Sequence, residues 1–377
     1  MRFDLSGRLS LGVLDDDDDV LRYARKQMAP FGASDGPLKA STADVVLART
    51  NPDGVPILEQ QGPANDDLTT ATDGQRVFVL VGGRRCTIPD ALVGGPIAFD
   101  YDPGFPLWRL FRSAIRPAMQ VAAAVSGRAV AVHAATVTTD DGAIVVAGWS
   151  ESGKTETALA LMEAGGRFLS DKWTLLDPAA AASAFPISVG VRRWVLDYLP
   201  TLRSSLTRGA RVQFALVRLA SVGLDPVAGR SATARGGAFV ADGARRVLEL
   251  GDRAAFEVDE LRAAYGQTDD PARVAPTKLF VALRTVPDGP IRVSDADRAD
   301  VAARLARSAA FERRRYLELL QRAGYALPDR PPSRHDDAIA ADQAVLGAAL
   351  ERVPVVSVEA PFPTDPRRVA DAILAIR

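Results

Sequence analysis

The sequence predicts an α/β protein in which a smaller, mostly β unit, residues 1–117, precedes a phosphate-binding-loop unit, residues 118–377. Three observations predict this. Short apolar or β-branched runs separated by turn clusters fill the first hundred residues. A helical pattern occupies Trp108–Val125. A strand–loop–helix–strand succession follows between residues 129 and 170, which is the signature of α/β architecture.

In the first unit, Val45–Ala48, Arg76–Val81 and Pro96–Asp100 are strand-like, and Asn51-Pro52-Asp53-Gly54 and Gly82-Gly83 are turns. The run Asp15–Asp19 reads as a solvated face or a mobile segment, and it lacks the glycine-bearing spacing of a calcium loop. In the second unit Ala129–Thr138 is a strand, Asp140-Asp141-Gly142 a turn and Ala143–Ala147 a continuously apolar strand. A helix then runs from Lys154 to Ala164, closed by Gly165-Gly166, and Phe168–Ser170 starts another strand. Further strands are expected at Pro186–Val191, Phe239–Ala241, Leu279–Leu283 and Val355–Val358, and one helix at Asp297–Arg322. Leu327–Asp337, with three prolines and many charges, reads as an exposed loop. Asp365 as N-cap and Pro366 at the first helical position open the last helix.

Composition excludes several functions. The 377 residues carry 46 Lys+Arg against 47 Asp+Glu, a net charge of −1 that offers nothing to a nucleic-acid backbone. No apolar run approaches the roughly 20 residues of a membrane span, and Met1-Arg2-Phe3-Asp4 does not open a secretory signal, so a cytoplasmic protein without membrane partners is expected. One cysteine, Cys86, and two histidines, His133 and His335, leave no disulfide and no basis for a multi-cysteine or histidine-rich metal site. Only five of the 46 basic residues are lysine, in a chain otherwise rich in arginine, so each lysine is mildly informative.

Two of those lysines fall in or near the strongest motif. Gly148-Trp149-Ser150-Glu151-Ser152-Gly153-Lys154-Thr155 matches G-x-x-x-x-G-K-[ST] in full, between an apolar strand and a helix. Glycines let successive backbone N–H groups face phosphate oxygens, and the helix N-terminus adds its dipole. Lys154 then reaches the β- and γ-phosphates, and the Thr155 hydroxyl can hold Mg2+. ATP and Mg2+ are therefore the expected cofactors. A motor ATPase or GTPase is not supported: there is no four-residue apolar run ending in Asp-Glu and no N-K-x-D motif.

His133-Ala134-Ala135, the loop with Lys154-Thr155-Glu156-Thr157-Ala158-Leu159, and Arg167-Phe168-Leu169-Ser170-Asp171 resemble, with the spacing kept, the core of bacterial HPr kinase/phosphorylase and the serine kinases related to it. The resemblance is specific over Ala129–Asp177, diffuse beyond, and absent before residue 116. It implies a kinase fold shared with phosphoenolpyruvate carboxykinase. It also implies nucleotide binding by Gly148 to Glu156, a metal held by Thr155 and Asp171, and His133 close to the reacting phosphate. Two residues depart from the pattern. Lys172 stands where the family has an aspartate acting as general base, and Glu151 where it has glycine. Lys172 could instead stabilise transferring charge, or serve as base if deprotonated, with Asp171 as metal ligand or substitute base. A compensating Glu151–Lys172 pair is one expectation.

Among the arginines, Arg192-Arg193 are the first choice for assisting transfer. Trp149 and Trp173 flank the motif; core packing is the plain reading of each, contact with a base or peptide acceptor the sharper one. The expected function is transfer of the γ-phosphoryl group of ATP to a hydroxyl, of Ser/Thr in a protein or peptide or of a small alcohol, with the first unit recognising the acceptor. The alternative is a nucleotide-binding regulatory or scaffold protein without transfer. Self-association as a homo-oligomer is compatible with the sequence.

Overall fold

The computed structural model describes residues 1–34, 43–50, 57–61, 69–93, 95–206, 209, 253–329 and 335–376. The expected strand Phe239–Ala241 lies outside them. The described residues form a mixed α/β architecture with two nine-stranded sheets and a two-stranded ribbon. None of their helices is long and apolar enough to cross a membrane.

The first sheet runs in the order Ala33–Ser34, Arg2–Asp4, Ser10–Leu14, Val45–Arg49, Ile97–Tyr101, Arg84–Thr87, Val77–Val81, Thr69–Thr72, Glu59–Gln61. Its three strands Ser10–Leu14, Val45–Arg49 and Ile97–Tyr101 are parallel, and the rest pair antiparallel. The crossover between the first two parallel strands includes the helix Asp18–Met28, which the mostly β expectation lacks. Asp17 caps it by accepting from the Asp19 and Val20 amides. Asp16, Asp17, Asp18 and Asp19 are exposed, as a solvated face requires, and Asp15 departs from it. The side chain of Asp15 is buried, accepts from the Tyr101 hydroxyl and pairs with Arg49 at 3.4 Å.

The second sheet is ordered Val130–Val132, Thr174–Leu176, Ala181–Ala184, Val274–Val286, Gly142–Gly148, Ala134–Thr139, Arg167–Ser170, with Val355–Pro361 also on Val274–Val286 and Arg292–Asp295 on Val355–Pro361. Gly142–Gly148 is the strand that leads into the loop. It lies antiparallel to Ala134–Thr139 and parallel to Val274–Val286, and every residue of it is buried. Burial on both faces explains its unbroken apolar character. Ile144 and Val146 pack with Leu159 and Met162 of the loop helix, Lys154–Glu163, and with Val369 of the last helix. Val145 and Ala147 on the other face pack with Val301, Leu305 and Leu346.

Two expected elements are divided. The strand Ala129–Thr138 breaks at His133: Val130–Val132 pairs with Thr174–Leu176, whereas Ala134–Thr139 pairs with Gly142–Gly148. His133 sits at the switch between partners. The helix expected over Asp297–Arg322 becomes Arg298–Glu312 and Arg314–Ala326, broken at Arg313. Arg313 is buried on Asp342, and the two helices pack into different apolar clusters, one through Val301 and Leu305, the other through Tyr316 and Leu320. The loop expected over Leu327–Asp337 ends early, because the helix His335–Leu350 starts at His335.

One apolar cluster runs from Phe3, Leu11 and Phe99 through Phe111, Ile115 and Met119 to Trp173, Leu175 and Leu320. The helical stretch Trp108–Val125, with a π-helical turn at Phe111–Ile115, contributes its apolar side to that cluster. Residues 117 and 118 both lie within its last part, Arg116–Val125.

Candidate functional site

The loop begins where Gly148 ends its strand. A Cβ there would stand 2.4 Å from the Leu283 carbonyl oxygen and 2.8 Å from Ser152 Oγ, so only glycine fits. Glu151 at φ 61° and Gly153 at φ 91° are both left-handed. Gly153 adopts this freely, whereas Glu151 does so at a cost of about 1 kcal/mol. Left-handed residues interleaved with right-handed ones turn backbone N–H groups into an anion-binding concavity. Ser152 is buried with its hydroxyl unpartnered.

Lys154 opens the helix and is buried, its Nζ donating to the Trp149 carbonyl at 2.5 Å. Burial pushes this ammonium down to about 8, with Asp171, Glu156 and Glu312 opposing. The Thr155 hydroxyl donates to Asp171 Oδ1 at 2.8 Å, so the two residues expected to share a metal are adjacent. Burial raises the Asp171 carboxyl, with the Thr155 hydroxyl opposing, and likewise raises Glu156 in the first turn of the helix.

After Asp171 the chain turns sharply. Lys172 takes φ 63°, and the Trp173 amide donates to the Asp171 carbonyl at 2.7 Å. Lys172 is half-buried and held below the usual range of a lysine by desolvation and then by Arg112, with Glu312 and Asp171 opposing. Trp173 is core, as expected, and stacks on His133 with ring centroids 5.3 Å apart. His133 is 5% exposed, its Nδ1 has no partner, and burial with Lys154 and Lys172 pushes it down to about 2. The imidazole is neutral.

A cavity of about 450 Å³ brings these residues together: Ser150 to Glu156, His133, Asp171 and Lys172 all line it. Gly148 and Trp149 instead line a larger, more apolar cavity of about 810 Å³ behind the loop, which Ser150, Glu151 and Ser152 also border. Trp149 is not core: it is 53% exposed and stacks on Phe311 with centroids 5.0 Å apart.

The Glu151–Lys172 pair does not form. Glu151 turns outward and accepts from Arg192 at 2.7 Å and Arg253 at 3.2 Å, residues that lie opposite each other in the ribbon Val189–Arg192/Arg253–Phe256. Of the expected arginine pair, Arg192 lines the cavity and Arg193 does not. Sequence reasoning missed Arg112, Arg116, Arg253 and Glu312, which also line it. Arg112 and Arg116 carry a signal, polar residues four apart in an apolar helical run. Arg253 and Glu312 carry none, since only tertiary folding brings them there.

Among the described residues no group of three or more His, Cys, Asp or Glu could hold a metal. Mg2+ commonly takes one or two protein oxygens and fills its shell with phosphates and water, and Thr155 with Asp171 fits that demand. Comparison of the chain with models of known protein families and with curated proteins found no match.

Proposed function

We propose that the chain is an ATP- and Mg2+-dependent phosphotransferase related to the HPr kinase type, with residues 118–377 as its kinase unit. It transfers the γ-phosphoryl group to a hydroxyl, of Ser/Thr in a protein or peptide or of a small alcohol. The observation that carries the reading is the Thr155–Asp171 hydrogen bond of 2.8 Å beside a glycine-bounded loop whose lysine is buried. Mg2+ arriving with ATP would be held by Thr155 and Asp171 and would neutralise phosphate charge.

The chain's own residues do the rest. Loop amides receive the phosphates, and Lys154 exchanges the Trp149 carbonyl for a charged phosphate oxygen, a stronger partner. The acceptor oxygen bonds to the γ-phosphorus while the bond from that phosphorus to the bridging oxygen breaks, and ADP leaves with the electron pair. Because Lys172 occupies the position of the family's base, the acceptor proton goes to another group. Glu312 is a carboxylate of the same cavity, sensed electrostatically by both Lys154 and Lys172, and we assign it that proton. Lys172 and Arg112 face the transferring charge.

The lysine at the base position also favours a second reading, a nucleotide-binding regulatory protein without transfer. Incubation with Mg-ATP separates the two. ADP release or autophosphorylation that disappears in Lys154→Ala supports the first; binding without turnover supports the second.

A further inference from the structure

A second cavity, of about 560 Å³, opens beside the nucleotide cavity and shares Arg112, Arg116, Lys172 and Glu312 with it. A volume of this order suits a small ligand. Its lining is unusually cationic. Arg109 and Arg112 come from the helical stretch that carries the π-helical turn, a feature frequent at functional sites. Arg314 and Arg315 come from the start of the helix Arg314–Ala326. Against them stands one lining carboxylate among the described residues, Glu312. Asp342 neutralises Arg313, but it does not line the cavity.

An independent observation points the same way. Gln120 lines this cavity, is 2% exposed, and its side-chain oxygen has no hydrogen-bond partner. A buried carboxamide oxygen without a partner costs about 1–3 kcal/mol, and a hydroxyl of a bound molecule would satisfy it.

We infer that this cavity takes the phosphoryl acceptor, and that the acceptor is a small hydroxylated anion carrying a phosphate or a carboxylate. The inference rests on the phosphotransferase reading above and narrows it. The arginines hold the anionic group, Gln120 accepts from one hydroxyl, and Glu312 and Lys172, at the seam between the cavities, face the hydroxyl that reacts. A neutral alcohol forgoes the charge-assisted contacts that a lining with several guanidinium groups and one carboxylate offers an anion.

Calorimetry without nucleotide tests this, with glycerol 3-phosphate and glycerate as the phosphate and carboxylate probes and glycerol as the neutral one. At least one anion is expected to bind roughly tenfold or more tightly than glycerol, since charge-assisted hydrogen bonds carry the difference. Whichever anion binds better identifies the source of the charge. Arg109→Gln/Arg315→Gln, which touches only the acceptor cavity, is expected to weaken that anion roughly tenfold. It should leave Mg-ATP affinity unchanged, and Arg315→Gln alone should give part of the loss. Gln120→Leu is expected to weaken the anion several-fold while melting no lower than wild type, because it removes an unsatisfied buried group. Binding of both anions no tighter than glycerol, or anion affinity untouched in the double variant, overturns the inference. Failure of the phosphotransferase reading shows separately, as Mg-ATP that does not bind or turn over.

Discussion

His133 offers a perturbation whose size follows from its surroundings. In the unfolded chain its imidazole titrates near the ordinary value of about 6.5. In the fold, burial and the nearby Lys154 and Lys172 hold it down to about 2, so it stays neutral at any pH of interest. Below the unfolded value the unfolded state therefore binds a proton that the folded state refuses. Stability is intact at neutral pH and falls as the pH drops through the unfolded value. Between pH 7 and pH 5 the loss amounts to about 2 kcal/mol, one proton acting over about 1.4 pH units. Urea denaturation followed by tryptophan fluorescence, at both pH values, for wild type and His133→Gln, isolates this share. The wild type should lose about 2 kcal/mol more than the variant over that interval. Equal losses in the two proteins would refute the argument and show a His133 that is solvated or charged when folded. A neutral His133 also adds no positive charge to the transferring phosphoryl group; its buried, unpartnered Nδ1 can only hydrogen-bond.

Two further predictions concern charges whose partners the fold chose. A double-mutant cycle on unfolding free energy should find coupling between Glu151 and Arg192 and none between Glu151 and Lys172, because Glu151 meets Arg192 at 2.7 Å. The carboxylate is 64% exposed, so the coupling should be roughly 0.2–1 kcal/mol, and coupling to Lys172 instead would contradict the geometry. Asp342→Ala strips a buried guanidinium of its partner, since Arg313 and Asp342 are each 1% exposed. It should cost about 3–5 kcal/mol by thermal or chemical denaturation, with much of that recovered in Arg313→Met/Asp342→Leu; an unaffected single variant would contradict this.

The sequence carried the local signals well. The loop motif, the apolar strand before it and the N-cap Asp365 all concern residues within one turn of each other. Side-chain chemistry decides such features without help from distant chain. Asp17 belonged to the same class, yet five adjacent aspartates hid a cap and a buried acid inside what looked like uniform polarity. What escaped depended on tertiary packing. Arg313 looks like any helical surface arginine, yet it is buried against Asp342 where the two helices meet. Glu151 and Lys172 look complementary on charge alone. The left-handed turn at Glu151 aims it at the ribbon instead, and no local pattern predicts that Arg192 and Arg253 meet there. The arginine-rich wall formed by residues 109, 112, 314 and 315 is invisible in a chain so rich in arginine, because its two segments lie some two hundred residues apart.

In the proposed function Lys154, Thr155 and Asp171 form a phosphate and magnesium site that turns ATP over. The most direct measurement is ADP release from Mg-ATP, with direct binding alongside, for wild type, Lys154→Ala and Asp171→Asn. Release by the wild type and a loss of roughly 10²–10³-fold or more in each variant are expected, with Asp171→Asn also losing its response to added Mg2+. Turnover that survives both substitutions, or Mg-ATP binding by the wild type that is no tighter than by Lys154→Ala, would contradict it.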